Sequence, residues 1–132
     1  MSKKKSMSSE TGTLIFVYGT LKRGFCRAHH LTGQNFLAKA VTRPNYLMYD
    51  CGEYPGLVVD IEDGVSIQGE LWSVDKKGVA LLDQIEGVAE NWFSRELVEL
   101  INPTVNQPVH AYYFQGDVTH LSRSGSNWVK VT

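Results

Sequence analysis

The 132-residue chain is short of several things, and each shortage excludes a class of protein. It has two cysteines, Cys26 and Cys51, without CxxC spacing. That leaves no disulfide framework and no zinc cluster, and it fits reduced thiols in a cytoplasmic setting. No stretch approaches the roughly 18 consecutive apolar residues that span a bilayer. No apolar segment follows the N-terminal lysines, as a secretory signal requires. Neither sign of charge dominates: 13 basic and 14 acidic side chains give a net charge of −1, which speaks against a globally basic nucleic-acid binder. There is no GxSxG nucleophile elbow, no GK[ST] phosphate loop and no GxGxxG fingerprint. His29 and His30 are adjacent, so on a helix they point about 100° apart, a poor geometry for a shared metal.

What is present is the composition of one folded domain, 42% hydrophobic and 20% charged. Residues 1–12 carry Lys3, Lys4, Lys5 and Glu10 with almost nothing to pack, and are read as a disordered tail. The single domain is assigned to residues 13–132. Leu14 to Tyr18 is a short β-branched and aromatic run that stops at Gly19, the pattern of a buried first strand. A short helix is expected within residues 24–31. Asn35 to Val41 and Asn45 to Tyr49 read as strands separated at Arg43-Pro44. Pro55-Gly56 suits the centre of a type II turn, with a strand from Leu57 to Ile61 and a tight reversal at Glu62-Asp63-Gly64. Val65 to Val74 alternates as a strand, with Gly69 marking a close approach of another backbone or a ligand. Asp75 is a good N-cap for a helix over residues 76–86, with Val79, Leu82 and Ile85 as its apolar stripe and Gly87 as its stop. Phe93 to Ile101 and Val109 to Gln115 complete about seven short strands. This predicts an α+β domain: a mixed, mostly antiparallel sheet closing towards a β-barrel, with one main helix.

Two places could carry chemistry. Glu86 lies seven residues after Val79, within about 20° of it around the helix, so the core-facing stripe ends in a carboxylate. Burial, the negative end of the helix dipole and Asp83 nearby all raise a carboxyl pKa. A residue that breaks local rules this way marks a site where function decided the choice, and a raised carboxyl suits general-base work. The alternative is a last-turn glutamate turned to solvent or paired with Arg95. The second place is Tyr18-Gly19-Thr20-Leu21-Lys22-Arg23-Gly24, where a buried strand enters a glycine-bounded loop. Its backbone N–H groups can converge on an anion or a polarised carbonyl; a plain strand-to-turn junction is the other reading. Trp92, Phe93, Tyr112, Tyr113, Phe114 and Trp128 are core by default, although Tyr112 and Tyr113 must face opposite sides of their strand.

Taken together, FVYGTLKRG at 16–24, GEYPGL at 52–57, GELWSVD at 69–75, LLDQIEG at 81–87, NWFSREL at 91–97 and AYYF at 111–114 resemble the gamma-glutamylcyclotransferase-like family, its gamma-glutamylamine cyclotransferase and small bacterial branches in particular. The resemblance implies a compact mixed β-barrel. It implies an enzyme that converts a γ-glutamyl amine or related amide into 5-oxoproline and a free amine. Glu86 matches the family's catalytic acid/base, and Tyr18, Gly19, Thr20 and Leu21 its substrate loop. Phe93 stands where the family often has a tyrosine in a Y-x-R stretch; Trp92 or Tyr113 is the candidate to replace that hydroxyl. The expected partner is a small γ-glutamyl compound, with no metal or other cofactor, no nucleic acid, no membrane, and a monomer or weak dimer. The alternative is a non-catalytic small-molecule or partner-binding domain on the same fold.

Overall fold

In the computed structural model, residues 12–130 are described, so the expected N-terminal tail lies outside the described residues, Gly12 excepted. Eight strands run in the order β1 Thr13–Val17, β2 Asn35–Thr42, β3 Tyr46–Asp50, β4 Pro55–Val59, β5 Gln68–Val74, β6 Phe93–Leu97, β7 Leu100–Asn102 and β8 Val109–Phe114. Among the described residues, one α-helix, α1, spans Lys76–Ile85, and a 3-10 turn covers Ala28–Leu31. The strands form one mixed sheet ordered β3-β4-β8-β1-β5-β2-β7, with β6 on the other edge of β8. The sheet curls into a half-barrel. Tyr46 of β3 accepts a hydrogen bond at its hydroxyl from the Glu99 N–H, just before β7, at 3.0 Å.

Curling gives the sheet two apolar faces and hence two cores. Inside the curl lie Leu14, Phe16, Tyr18, Met48, Leu57, Leu71, Ala111 and Tyr113. On the outer face, Ile15, Val17, Trp72, Val74 and Tyr112 pack against Leu82 of α1 and Leu31 of the 3-10 turn. This is why β1 reads as a nearly continuous apolar run: both of its faces are covered. The Asp75 side chain caps α1 by accepting from the Gly78 N–H at 2.7 Å.

Several expectations require correction. The reversal before β4 is not centred on Pro55-Gly56. It falls at residues 51–54, where Gly52 has φ +106° and the Cys51 N–H bonds the Tyr54 carbonyl at 2.9 Å. Pro55 instead opens β4, opposite Asp50. The run from Phe93 to Ile101 is two strands: β6 pairs with β8, then the chain turns at Val98-Glu99 and β7 pairs with β2. The strand predicted from Val65 begins at Gln68, Val65 making only an isolated bridge to Tyr46. Gly69 does admit a backbone: a Cβ there would meet the Val17 carbonyl oxygen at 2.4 Å.

The feature that positions the site is a seam along β8. One edge of β8 is occupied by β6 over residues 110–114. The other edge is shared: β1 runs parallel to it at Val109 and His110, then β4 takes over at Tyr113. Where β1 leaves and β4 arrives, the Tyr18 hydroxyl fills the gap. It donates to the Tyr112 carbonyl at 2.6 Å and accepts from the Leu57 N–H at 3.2 Å. A side chain thus does the work of a missing ladder partner. Tyr18→Phe should lower unfolding stability by about 2 kcal/mol or more, because two buried backbone groups lose their partner. Urea denaturation checks this, and a loss within error of zero would remove the hydroxyl from the list of structural supports.

Candidate active site

Glu86 is the C-cap residue of α1; its N–H still bonds the Leu82 carbonyl at 2.9 Å, and Gly87 follows at φ +67°. The helix stripe therefore delivers the carboxylate to the outer end of the seam, where it lines a pocket of about 380 Å³, open mouth included. The other walls are Phe16 and Val17 at the end of β1, Tyr18, Gly19, Thr20 and Leu21 from the loop after it, Arg27, Tyr54 and Pro55 before and at the start of β4, and Tyr112 of β8. Among the described residues, no group donates a hydrogen bond to the Glu86 carboxylate. Burial pushes its pKa up to about 7, against the opposing pull of the Arg27 charge.

The like charge expected from Asp83 is absent from that balance, for a visible reason. Asp83 accepts from Arg95 Nε and Nη2 at 2.9 and 3.2 Å and from the Tyr112 hydroxyl at 2.6 Å. Burial works to raise its pKa, but these hydrogen bonds hold it below the usual carboxylate value. Arg95 is committed to Asp83, not to Glu86, so the reading of Glu86 as half of an ion pair with Arg95 fails. The same network fixes the Tyr112 ring as one wall of the pocket. Its phenol is pushed up by burial and then by the Asp83 contact, and stays a donor.

The loop after β1 folds back on itself. The Lys22 N–H bonds the Gly19 carbonyl at 3.1 Å, the Arg27 N–H bonds the Thr20 carbonyl at 2.9 Å, and the Arg23 N–H and Nε both reach the Glu70 carboxylate. No turn, loop or side-chain acceptor among the described residues takes the N–H groups of Gly19, Thr20 or Leu21. Gly19, Thr20 and Leu21, which line the pocket, thus carry three successive N–H groups without such an acceptor. Gly19 is required for close packing: a Cβ would lie 2.6 Å from Pro55 Cγ.

Two predicted residues are not brought to the pocket. Tyr113 points to the inside of the curl and donates its hydroxyl to the Leu97 carbonyl at 2.7 Å, on the face of β8 away from Glu86. Phe93 lies one layer behind the wall, against Tyr54 and Phe114 at ring separations of 5.9 and 5.6 Å. Trp92 is 64% exposed and packs over Gly87, so it replaces no hydroxyl in the pocket. Six lining residues were missed: Phe16, Val17, Arg27, Tyr54, Pro55 and Tyr112. Tyr112 had a signal, because His110, Tyr112 and Phe114 form the more polar face of β8 whereas Val109, Ala111 and Tyr113 form the barrel face. Tyr54 stands within the GEYPGL segment. Arg27 had none, since its position depends on how the loop closes.

A family model described as gamma-glutamyl cyclotransferase, AIG2-like, matches residues 15–130. The chain belongs to this family. It is 40% identical over 86 residues to a Vibrio cholerae protein named "Putative gamma-glutamylcyclotransferase", covering 65% of this chain and 71% of that one. It is 36% identical over 94 residues to zebrafish (Danio rerio) gamma-glutamylaminecyclotransferase B, covering 66% of this chain and 49% of that one. A mouse AIG2-like protein of known structure shares the fold, with a TM-score of 0.73 at 22% identity over 87% of each chain. Among the described residues, no helix is long and apolar enough to cross a membrane, and no group of three or more His, Cys, Asp or Glu side chains is placed to hold a metal ion.

The unpartnered Glu86 makes a prediction about stability. Its pKa rises from an ordinary 4.5 to about 7 on folding, so between these values the native state binds more protons than the unfolded one, and stability falls as pH rises. Glu86→Gln removes that slope. The variant should match the parent near pH 4 and exceed it by up to about 3 kcal/mol at pH 8. Denaturation curves at the two pH values test this; an equal gain at both would mean that the carboxyl is not perturbed by burial.

Proposed function

We propose that the protein converts a γ-glutamyl amine, or a related γ-glutamyl amide, into 5-oxoproline and the free amine, with Glu86 as general acid and base. The observation that carries this reading is the pairing in one small pocket of an unpartnered carboxyl near pKa 7 with three unclaimed backbone N–H groups. An intramolecular acyl transfer calls for those two elements. The α-amino group and the γ-carbonyl belong to one molecule, and folding it back sets the nitrogen against the carbonyl carbon in a five-membered ring. Holding that geometry supplies several orders of magnitude of rate, by the effective molarities of oriented intramolecular reactions.

The Glu86 carboxylate takes a proton from the substrate α-ammonium. The freed amine forms a C–N bond to the γ-carbon, and the carbonyl electrons move onto oxygen. The N–H groups of residues 19–21 hold that developing oxyanion. Glu86 then returns a proton to the departing nitrogen. The original amide C–N bond breaks and the surplus proton on the ring nitrogen passes to the freed amine, leaving a neutral lactam and an ammonium ion. The Tyr18 ring lines the pocket, but its hydroxyl is spent on the seam, so Tyr18 acts here as wall and support. The reaction is an intramolecular acyl transfer that expels an amine, of the lyase or transferase class, and fits a cytoplasmic setting with free thiols at Cys26 and Cys51. The expected partner is a small γ-glutamyl compound.

Incubation with γ-glutamyl amines, γ-glutamyl dipeptides and γ-glutamyl-lysine should release 5-oxoproline, detected by mass spectrometry. Glu86→Gln should lower turnover at least about 100-fold, the lower end of what general acid–base catalysis contributes. Because the carboxylate is the working form, kcat/KM should climb as pH rises through about 7 and then level. No 5-oxoproline from a folded protein across the panel, or full turnover by Glu86→Gln, would refute the assignment and favour a binding domain.

A further inference from the structure

Arg27 stands apart among the arginines. The chain has five of them. Arg23 reaches Glu70, Arg43 reaches Glu99, Arg95 reaches Asp83 and Arg123 reaches Asp63, each within 4.0 Å. Arg27 has no carboxylate within that distance among the described residues. It is nevertheless the one arginine that lines the pocket. Its guanidinium sits 5.7 Å from the centroid of the Tyr54 ring, a contact that holds the fork at the pocket wall while leaving its N–H donors unused. Its backbone is pinned by the Thr20 carbonyl, so the N–H groups of residues 19–21 and the guanidinium are parts of one closed loop.

Glu86 and Arg27 thus carry opposite charges on one small pocket without forming an ion pair. Such a space is complementary to a molecule that carries both charges itself. A guanidinium with free donors matches a carboxylate in shape as well as sign, and takes it through two parallel hydrogen bonds. We propose that Arg27 is the receptor for a carboxylate of the ligand, and that it restricts the substrates of this pocket to compounds bearing one. The carboxylate has two possible sources. One is the α-carboxylate of the glutamyl head, which would lie against Arg27 while the adjacent ammonium faces Glu86. The other is a carboxylate on the departing amine, as in a γ-glutamyl dipeptide. The inference rests on the γ-glutamyl reading for its choice of ligands, but its readout is binding, not turnover.

The test uses two matched pairs, titrated calorimetrically into the parent protein, Arg27→Gln and Arg27→Lys. The first pair is 5-oxoproline and 5-oxoprolinamide; the second is γ-glutamylglycine and γ-glutamyl methylamide. The parent should prefer the carboxylate-bearing member of a pair by roughly tenfold to a hundredfold, the worth of a charge-assisted hydrogen bond. Arg27→Gln should bring that ratio close to one, and Arg27→Lys should restore part of it. Loss confined to the first pair places the α-carboxylate on Arg27; loss confined to the second places the amine-side carboxylate there. Ratios unchanged in Arg27→Gln overturn the proposal even if 5-oxoproline is released normally. No preference for either carboxylate by the parent also overturns it. Arg27-dependent preference without any turnover would leave the carboxylate site standing and refute the catalytic reading.

Discussion

The Tyr18 hydroxyl is the contact on which the arrangement depends. Parallel pairing on one edge of β8 is divided between β1 and β4, and any such handover leaves backbone groups without partners. Left empty, the gap would bury an unpaired N–H and a C=O, which costs more than one ordinary hydrogen bond contributes. The phenol closes it by donating to Tyr112 and accepting from Leu57. With that constraint met, β1 can end at Val17 and release its next residues as a loop across the strand ends. The pocket lies where the strand order splits, for the reason that open sheets place ligands at such points: diverging chains leave a crevice.

The helix then supplies what the crevice lacks. Asp75 fixes where α1 begins, its apolar stripe fixes the rotation, and the last residue on that stripe is Glu86. Stability alone would favour an uncharged residue there. The protein neutralises the other acid on the same surface, Asp83, with Arg95 and Tyr112 and leaves Glu86 without a donor. One acid is held low and its neighbour high within a single helical turn. That divergence of environments, not the identity of either residue, sets the two carboxyls apart: Asp83 tied into a hydrogen-bonded network, Glu86 raised by burial.

Much of this was legible in the sequence because it is local. The cap at Asp75, the stripe from Val79 to Glu86, the stop at Gly87 and the buried run into Gly19 are each set by neighbours within a few residues. The errors share a cause of the opposite kind. Pro55-Gly56 has the composition of a turn, but Gly56 is needed for packing: a Cβ there would lie 2.7 Å from the Phe114 Cβ across the seam. Phe93 to Ile101 alternates continuously, yet its halves pair with β8 and β2, which no local pattern states. The alternation put Tyr112 and Tyr113 on opposite faces correctly. Choosing between them required knowing which face meets α1, and the choice of Tyr113 went to the barrel side.

Three glycines show how closely the strands approach one another at the seam. Added Cβ atoms at Gly19, Gly56 and Gly69 would sit 2.6 Å from Pro55, 2.7 Å from Phe114 and 2.4 Å from the Val17 carbonyl oxygen. None of the three has positive φ, so each is there for close approach and not for backbone freedom. Three such approaches draw β1, β4, β5 and β8 together around the end of the first strand. The loop after β1 passes this point of close approach at Gly19, against Pro55.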